Sequence, residues 1–158
     1  MAKGAGCAHT GIQQQEVGPQ NMALSERATG DRAPRPWRVV VVDDEDDIRV
    51  LVRVLLRADG RFAVVAEAVN GREGVDAVVA HRPDVVVLDL RMPVMDGLTA
   101  LALIRQLAPE CRVVVCSAHR ESAAFVLDIG ADAYVDKFDV PRSLAPVLDD
   151  LCAHGTPE

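Results

Sequence analysis

The sequence predicts an α/β fold in which five βα units form one doubly wound, parallel, five-stranded sheet. From residue 38 onward, short apolar runs alternate with amphipathic stretches, as they do in βαβ units with right-handed crossovers. Three of the runs are continuously apolar and rich in valine, which is typical of parallel strands covered on both faces. The predicted strands are residues 39–42, 62–66, 85–88, 113–116 and 133–135.

Five helices are predicted between and after these strands, because apolar side chains recur there at helical spacing. Asn70 and Gly71 open the second helix, and the third stops before Pro109. A shorter fourth helix over 121–129 ends at Gly130, and the fifth follows Pro141. The apolar positions of the four longer helices are Ile48, Leu51, Val52 and Leu55; Val75, Val78 and Val79; Leu98, Leu101, Leu103, Ile104 and Leu107; and Leu144, Val147, Leu148 and Leu151.

Charge and hydropathy exclude several functions. The chain has 158 residues and a net charge of −7; residues 1–36 carry +1, so the remainder carries −8. Such an acidic domain repels phosphate backbones, and we expect no direct nucleic-acid binding. No stretch approaches the roughly 20 apolar residues that span a bilayer, and the N-terminus lacks the apolar region of a signal peptide. We therefore expect a cytoplasmic protein that does not contact membranes.

The folded domain is predicted over residues 37–153. Residues 1–36 have no hydrophobic period and are rich in small and polar residues, so we predict a disordered N-terminal tail there, and a short C-terminal tail over 154–158. The four cysteines form neither a CxxC pair nor a cluster with zinc spacing. Cys111 and Cys116 flank an apolar run, and we expect them to be small buried hydrophobic residues of a reduced protein.

Side chains that carry chemistry follow four of the five predicted strands: Asp43 and Asp44, Asp89, Ser117, and Lys137. The carboxyl ends of parallel strands meet at one edge of a sheet, so these side chains are expected to gather there. Three carboxylates repel one another unless a cation is present, and Mg²⁺ would relieve this repulsion while leaving positions for phosphate oxygens. A hydroxyl and an ammonium suit the remaining oxygens. The set predicts phosphoryl transfer onto a carboxylate, with Asp89 as the nucleophile.

A plainer interpretation exists for each of these residues taken alone. Acidic residues after a strand often cap the next helix, and Glu45, Asp46 and Asp47 are also placed to do so. A lysine at a strand end is commonly solvated, and a serine there is commonly a turn residue. The functional interpretation is favoured because the side chains coincide at one edge of the sheet.

Four stretches of the sequence form a specific pattern. They are VVVVDDEDDIR at 39–49, VVVLDLRMPVMDG at 85–97, VVVCSAH at 113–119 and GADAYVDK at 130–137. With them, residues 38–153 resemble the receiver domain of bacterial two-component response regulators. The second stretch is the most specific, because Asp89 follows an apolar strand and precedes Met92, Pro93, Asp96 and Gly97. The resemblance implies a flavodoxin-like sheet with strand order 2-1-3-4-5.

The resemblance also implies a role for each matching residue. Asp89 would accept a phosphoryl group from a sensor histidine kinase or a phosphotransfer protein. Asp44, Asp89 and the backbone carbonyl of Arg91 would bind Mg²⁺ directly, and Asp43 would act through a bound water. The chain would be a signalling domain that assists its own phosphoryl transfer, not a conventional enzyme.

A switch is implied by three further matches. Ser117 and Lys137 would bind the phosphoryl group, and Tyr134 would turn inward as the Ser117 hydroxyl moves. This change would alter the affinity for a downstream protein target, and a phosphorylation-dependent homodimer is a further expectation. The sequence departs from the common family pattern in two places. Phe138 stands where many members have proline, and the segment from Ser117 to Gly130 is about two residues short, which predicts a clipped fourth helix or a tighter loop.

The sequence leaves two alternatives open. A pseudo-receiver would act as an interaction module without phosphorylation, but such proteins usually lack the acid pair, the acceptor or the lysine, and all are present here. A phosphohydrolase of the haloacid dehalogenase type would use similar residues with Mg²⁺. Its nucleophilic aspartate follows the first strand, whereas here the acid pair comes first and Asp89 follows the third.

Overall fold

The computed structural model describes residues 35–154 of the chain. The sequence predictions for residues 1–34 and 155–158, and with them most of both predicted tails, lie outside the described residues. The strands are β1 (Trp37–Val42), β2 (Phe62–Ala68), β3 (Val85–Leu88), β4 (Arg112–Ser117) and β5 (Ala133–Asp136). The helices are α1 (Asp46–Asp59), α2 (Gly71–His81), α3 (Gly97–Leu107), α4 (Ala123–Asp128) and α5 (Val140–Ala153).

The five strands form one parallel sheet in the order β2-β1-β3-β4-β5, which confirms the predicted flavodoxin-like α/β fold. Strand β1 lies between β2 and β3. The chain forms β2 on one side of β1 and then crosses to the other side to form β3, β4 and β5, so a crevice opens at the carboxyl ends of β1 and β3. Val42 pairs with Leu88 at the end of this ladder. Asp43 and Asp89, each the next residue, therefore leave the sheet side by side.

Two apolar cores cover the two faces of the sheet, as alternation along the strands requires. Val40, Val42 and Leu88 belong to one core with side chains of α2, α3 and α4. Val39 and Val41 belong to the other core with side chains of α1 and α5. Because all four valines of residues 39–42 are buried, β1 is held rigidly, and so is the start of the loop that carries Asp43.

Polar caps set the helix starts nearest to the crevice. The Asn70 side chain accepts a hydrogen bond from the backbone N–H of Glu73 at 2.9 Å, and that of Asp96 accepts one from Thr99 at 2.8 Å. Helix α4 has only six residues and follows a 3₁₀ turn over Arg120–Ser122, in agreement with the predicted clipped fourth helix. Every peptide bond of the described residues is trans, including the one that joins Lys137 to Phe138. None of the described helices is both long and apolar enough to cross a membrane.

The loop between β3 and α3 contains a strained residue. Val94 has a φ of 68°, in the left-handed region, and its side chain is 83% exposed. A β-branched residue is unfavourable in this conformation, whereas asparagine tolerates it. We expect Val94→Asn to raise the free energy of unfolding by about 1 kcal/mol, measured by urea denaturation.

The control is Val54→Asn, an exposed valine in helix α1 where both residues have similar helix propensity. Equal changes in the two variants would show that backbone strain at Val94 is not the cause.

Candidate functional site

Two buried carboxylates form the centre of the site. Asp43 and Asp89 are 2% and 4% exposed. Their backbone N–H groups continue the sheet ladder: Asp43 donates to the carbonyl of Ala68 at 3.1 Å, and Asp89 donates to that of Val42 at 2.9 Å. The side chain of Asp43 accepts a hydrogen bond from the backbone N–H of Glu45 at 2.9 Å. The fold thus presents both carboxylates at the predicted edge of the sheet.

Lys137 lies between these carboxylates, although it is distant in sequence. Its ammonium lies 2.9 Å from an oxygen of Asp43, 3.0 Å from one of Asp89 and 2.8 Å from one of Glu45. The side chain is 9% exposed. A 3₁₀ turn over Lys137–Asp139 follows β5, and the Asp136 side chain caps it by accepting from the backbone N–H of Phe138 at 2.9 Å. The end of β5 and this turn aim the ammonium into the crevice.

The buried charges perturb one another. Burial raises the pKa of Asp89 to about 6, the negative charge of Asp43 adds to this effect, and Lys137 opposes it. Burial also raises the pKa of Asp43, against hydrogen bonds from Glu45 and Lys137. Burial alone would lower the pKa of Lys137, but hydrogen bonds to Glu45, Asp43 and Asp89 outweigh it and raise that pKa. The lysine is therefore charged, and at neutral pH most Asp89 side chains are ionised.

The donor set fits a hard divalent cation. Asp43, Asp44, Glu45 and Asp89 each offer a carboxylate oxygen, and these oxygens all lie within 4.8 Å of one another. Oxygen ligands of this kind suit Mg²⁺, which keeps several of its waters. One ammonium alone does not balance four carboxylates, so a divalent cation would relieve the remaining repulsion. Asp44 is exposed and open to solvent beside the buried pair.

The loop after Asp89 begins close to its carboxylate. The backbone N–H of Arg91 donates to an oxygen of Asp89 at 3.4 Å, and the Arg91 side chain is exposed. The Arg91 backbone therefore lies close to the Asp89 carboxylate. A metal-binding role for its carbonyl stays a prediction.

Ser117 and Tyr134 are joined by a hydrogen bond. Ser117 is the last residue of β4, 1% exposed, and its hydroxyl accepts from the backbone N–H of His119 at 3.2 Å. The Tyr134 hydroxyl donates to the backbone carbonyl of Ser117 at 2.9 Å. Its ring packs against the core that α2, α3 and α4 cover. Burial raises the pKa of the Tyr134 phenol, so the hydroxyl keeps the proton that it donates.

The sequence and the fold that carry these side chains have counterparts in known proteins. The family model for the response regulator receiver domain matches residues 39–147. The chain belongs to this family. Receiver domains are signalling domains, and the matched segment runs from β1 into α5.

Two curated proteins illustrate the likeness. The receiver domain here is 36% identical over 117 residues to the chemotaxis protein CheY of Bacillus subtilis, covering 72% of this chain and 97% of CheY. It is 39% identical over 120 residues to protein-glutamate methylesterase/protein-glutamine glutaminase 1 of Pseudomonas aeruginosa, covering 73% of this chain. That match covers 33% of the methylesterase, so this chain spans about a third of the length of such relatives.

Solved structures share the fold. The signal receiver domain of NarL from Mycobacterium tuberculosis has a TM-score of 0.72 and 33% identity, covering 77% of this chain and 100% of that one. A CheY from Borrelia burgdorferi, solved in a complex of CheX, CheY, BeF3 and Mg²⁺, has a TM-score of 0.66 and 26% identity. That match covers 74% of this chain and 90% of the other.

A groove lies beside Leu90 and Arg91, the two residues that follow Asp89. It has a volume of about 420 Å³ and opens between the β3–α3 loop and the segment that follows β4. Its wall combines the ionisable residues Arg91, Asp96 and His119 with apolar residues. The lining residues are Leu90, Arg91, Met92, Asp96, Leu98, His119 and Ser122.

Sequence reasoning missed one residue of the receiver site. The sequence places Glu45 as a candidate helix cap, and it does occupy the position before helix α1, but its side chain makes no capping hydrogen bond. The carboxylate instead contacts Lys137, which is 92 positions away in the chain. Its place directly after the acid pair was the one available signal, and the long-range contact could not be inferred from it. The expected burial of Cys111 and Cys116 is confirmed, and both thiols are free.

Proposed function

We propose that this receiver domain takes up a phosphoryl group on Asp89 from a sensor histidine kinase or a phosphotransfer protein. The observation that carries the proposal is the buried Asp89 carboxylate, which lies 3.0 Å from the Lys137 ammonium and beside the acidic group around Asp43. A buried carboxylate with a fixed cation beside it is suited to accept a phosphoryl group and to stabilise it afterwards. The functional unit is the segment 37–153.

The chain's own residues perform distinct parts of the transfer. An oxygen of Asp89 attacks phosphorus and forms an O–P bond, while the bond from phosphorus to the donor breaks and the donor keeps that electron pair. Lys137 offers N–H donors to the phosphoryl oxygens, and the Ser117 hydroxyl offers one more. Mg²⁺, when bound by Asp44, Asp89 and the Arg91 carbonyl and through water by Asp43, supplies positive charge to those oxygens.

The groove beside Asp89 suits the approach of the donor. It is lined by Arg91, whose guanidinium attracts an anionic phosphoryl group, and by Asp96, whose carboxylate partly offsets that attraction. The apolar part of the wall suits contact with a protein donor. Small phosphodonors such as acetyl phosphate fit the same volume.

Phosphorylation is proposed to act through the contact between Ser117 and Tyr134. A phosphoryl group adds a charge of about −1.5 to −2, which attracts the Ser117 hydroxyl away from the N–H of His119. Because Tyr134 donates to the Ser117 carbonyl, movement at the end of β4 moves the ring as well. Tyr134 lies on β5, and helix α4, which precedes that strand in the chain, exposes the side chains of Phe125 and Leu127. This surface is proposed to change its affinity for a downstream protein target or for a second copy.

The partners are proposed to be proteins in the cytoplasm. The Borrelia CheY was solved together with CheX, which shows that a receiver of this family forms a protein complex. The methylesterase relatives match this chain over a third of their own length, so their enzymatic activity is not carried over. The acidic character of the domain argues against nucleic acid as a ligand.

The test is intact mass spectrometry of the full chain after incubation with acetyl phosphate and Mg²⁺. We expect one phosphoryl adduct that is stable in acid and labile in base, and we expect EDTA to prevent it. A folded, Mg²⁺-binding protein that takes up no phosphoryl group from acetyl phosphate or from a panel of phosphorylated kinases would support a pseudo-receiver instead. Continuous release of phosphate from a phosphomonoester would support a phosphohydrolase.

A further inference from the structure

We propose that Glu45 is a positioning residue of the phosphorylation site, which holds the Lys137 ammonium and raises the negative charge around Asp89. Its carboxylate oxygen lies 2.8 Å from the ammonium. This inference rests on the proposed function, because it assigns Glu45 a part in Mg²⁺ binding and phosphoryl uptake at the same site.

The backbone directs the Glu45 side chain toward Lys137. The N–H of Glu45 donates to the Asp43 carboxylate at 2.9 Å, and its carbonyl accepts from the N–H of Arg49 at 3.2 Å. Both backbone groups are therefore anchored where β1 passes into α1. Residues at this helix position commonly cap the helix, but the Glu45 side chain makes no such bond. Although 61% exposed, it turns inward to the ammonium.

Glu45 completes the coordination of the ammonium. A lysine ammonium has three N–H donors, and here three carboxylates surround it: those of Asp43, Asp89 and Glu45. Asp43 and Asp89 are buried, so Glu45 is the partner that closes the site toward solvent. Without the Glu45 charge, the ammonium keeps its ion pairs with Asp43 and Asp89 but loses the ion pair on its solvent-facing side.

The Glu45 charge has two opposite consequences. Four carboxylates and one ammonium leave a formal charge of −3 at the site, and the oxygens lie within 4.8 Å of one another. This charge attracts Mg²⁺ but repels an anionic phosphodonor, since both effects follow Coulomb's law over the same short distances. Neutralising Glu45 should therefore weaken metal binding and speed phosphoryl uptake once the metal is saturating.

The first measurement observes Lys137 directly. The chain has only two lysines, Lys3 and Lys137, so a sample labelled with ¹⁵N-lysine gives two ammonium signals that the Lys3→Arg variant assigns. We expect Glu45→Gln to shift the Lys137 signal and to speed exchange of its protons with water. The control is Asp46→Asn, which makes the same change of charge one residue later. Asp46 is 82% exposed and paired with Arg49, and this variant should leave the Lys137 signal in place.

The second measurement compares Mg²⁺ affinity, by calorimetry, with the rate of uptake from acetyl phosphate at saturating Mg²⁺. For Glu45→Gln we expect a dissociation constant about fivefold higher and an uptake rate about threefold higher. Asp46→Asn should change either quantity by less than about twofold, because its charge is screened. A purely structural role for Glu45 would not move the two quantities in opposite directions.

The outcomes separate this inference from the proposed function. An unchanged Lys137 signal in Glu45→Gln, or metal affinity and uptake that change together, would overturn the role of Glu45 even if Asp89 is phosphorylated. If the signal and the metal affinity change as expected but the wild-type protein takes up no phosphoryl group, the positioning contact is supported and the proposed function is overturned.

Discussion

Replacing Asp89 with asparagine is expected to abolish phosphoryl uptake and, at the same time, to stabilise the protein at neutral pH in the absence of Mg²⁺. The first effect follows because an amide has no nucleophilic carboxylate oxygen to bond to phosphorus. The exchange keeps the size of the side chain, so the buried position at the end of β3 stays filled. Other aspartates of the acidic group, Asp43 and Asp44, are not expected to substitute for it.

The stabilising effect follows from the raised pKa of Asp89. The carboxyl binds its proton up to a pH of about 6 in the folded protein, whereas in the unfolded chain it loses the proton near pH 3.8. Between these values the folded state binds more protons than the unfolded state, so stability falls as the pH rises through this window. Above pH 6 the ionised carboxylate costs about 3 kcal/mol, which asparagine avoids.

The two effects are measured on the same pair of proteins. Intact mass after incubation with acetyl phosphate and Mg²⁺ reports uptake, and urea denaturation in EDTA at pH 4 and pH 7 reports stability. The variant should gain stability over the wild type at pH 7 but not at pH 4. Asp44→Asn is the control for the change in stability, because Asp44 is exposed and its replacement relieves no burial. Normal phosphoryl uptake by Asp89→Asn would show that the acceptor is another residue.

The fold could be predicted because its signal is local and repeated. Strand β3 has the predicted bounds, and the other strands extend one or two residues further, at Trp37, Arg38, Glu67, Ala68, Arg112, Ser117 and Asp136. These positions are polar or aromatic or lie next to a turn, so apolar runs do not mark them. They belong to strands because their backbones are hydrogen-bonded to neighbouring strands, so the parallel ladder continues through them.

The centre of the site could be predicted for a topological reason. Asp43, Asp89 and Lys137 each follow a strand, and parallel strands bring their carboxyl ends to one edge. The contacts of Lys137 with both aspartates agree with that expectation. The sequence does not contain the information for the contact with Glu45, because it depends on how the β5–α5 turn faces the β1–α1 loop. The bond from Tyr134 to the Ser117 carbonyl likewise depends on side-chain packing.

Adding a methyl group at Gly97 is expected to destabilise the protein by about 3 kcal/mol or more, a large effect for a single methyl group. Gly97 is the first residue of α3, and its N–H donates to the Leu90 carbonyl at 2.8 Å. A Cβ atom there would lie 2.0 Å from the Asp89 carbonyl oxygen and 2.7 Å from the Leu90 Cα. These are backbone atoms, so the clash cannot be relieved by a change of rotamer.

Gly60→Ala is the matched control for the same substitution. Gly60 has a φ of 77° and no atom within 4 Å of an added Cβ, so alanine there suffers only backbone strain of about 1 kcal/mol. Urea denaturation should therefore show a much larger loss for Gly97→Ala. Equal losses would mean that the loop after Asp89 yields easily and that the close approach is not a constraint.

The rate of phosphoryl uptake by Gly97→Ala tests whether the packing around Gly97 positions the Asp89 carboxylate. The methyl group displaces the backbone of Asp89 and Leu90, so the acceptor carboxylate should move relative to Lys137. We expect slower phosphoryl uptake in the molecules that remain folded at low temperature, whereas Gly60→Ala should take up phosphoryl groups at the wild-type rate. A shift of about 1 Å at a reacting group lowers a reaction rate by up to about a hundredfold. We therefore expect the uptake rate to fall by a larger factor than the folded fraction does. Uptake at the wild-type rate by folded Gly97→Ala would show that Asp89 is positioned by β3 alone.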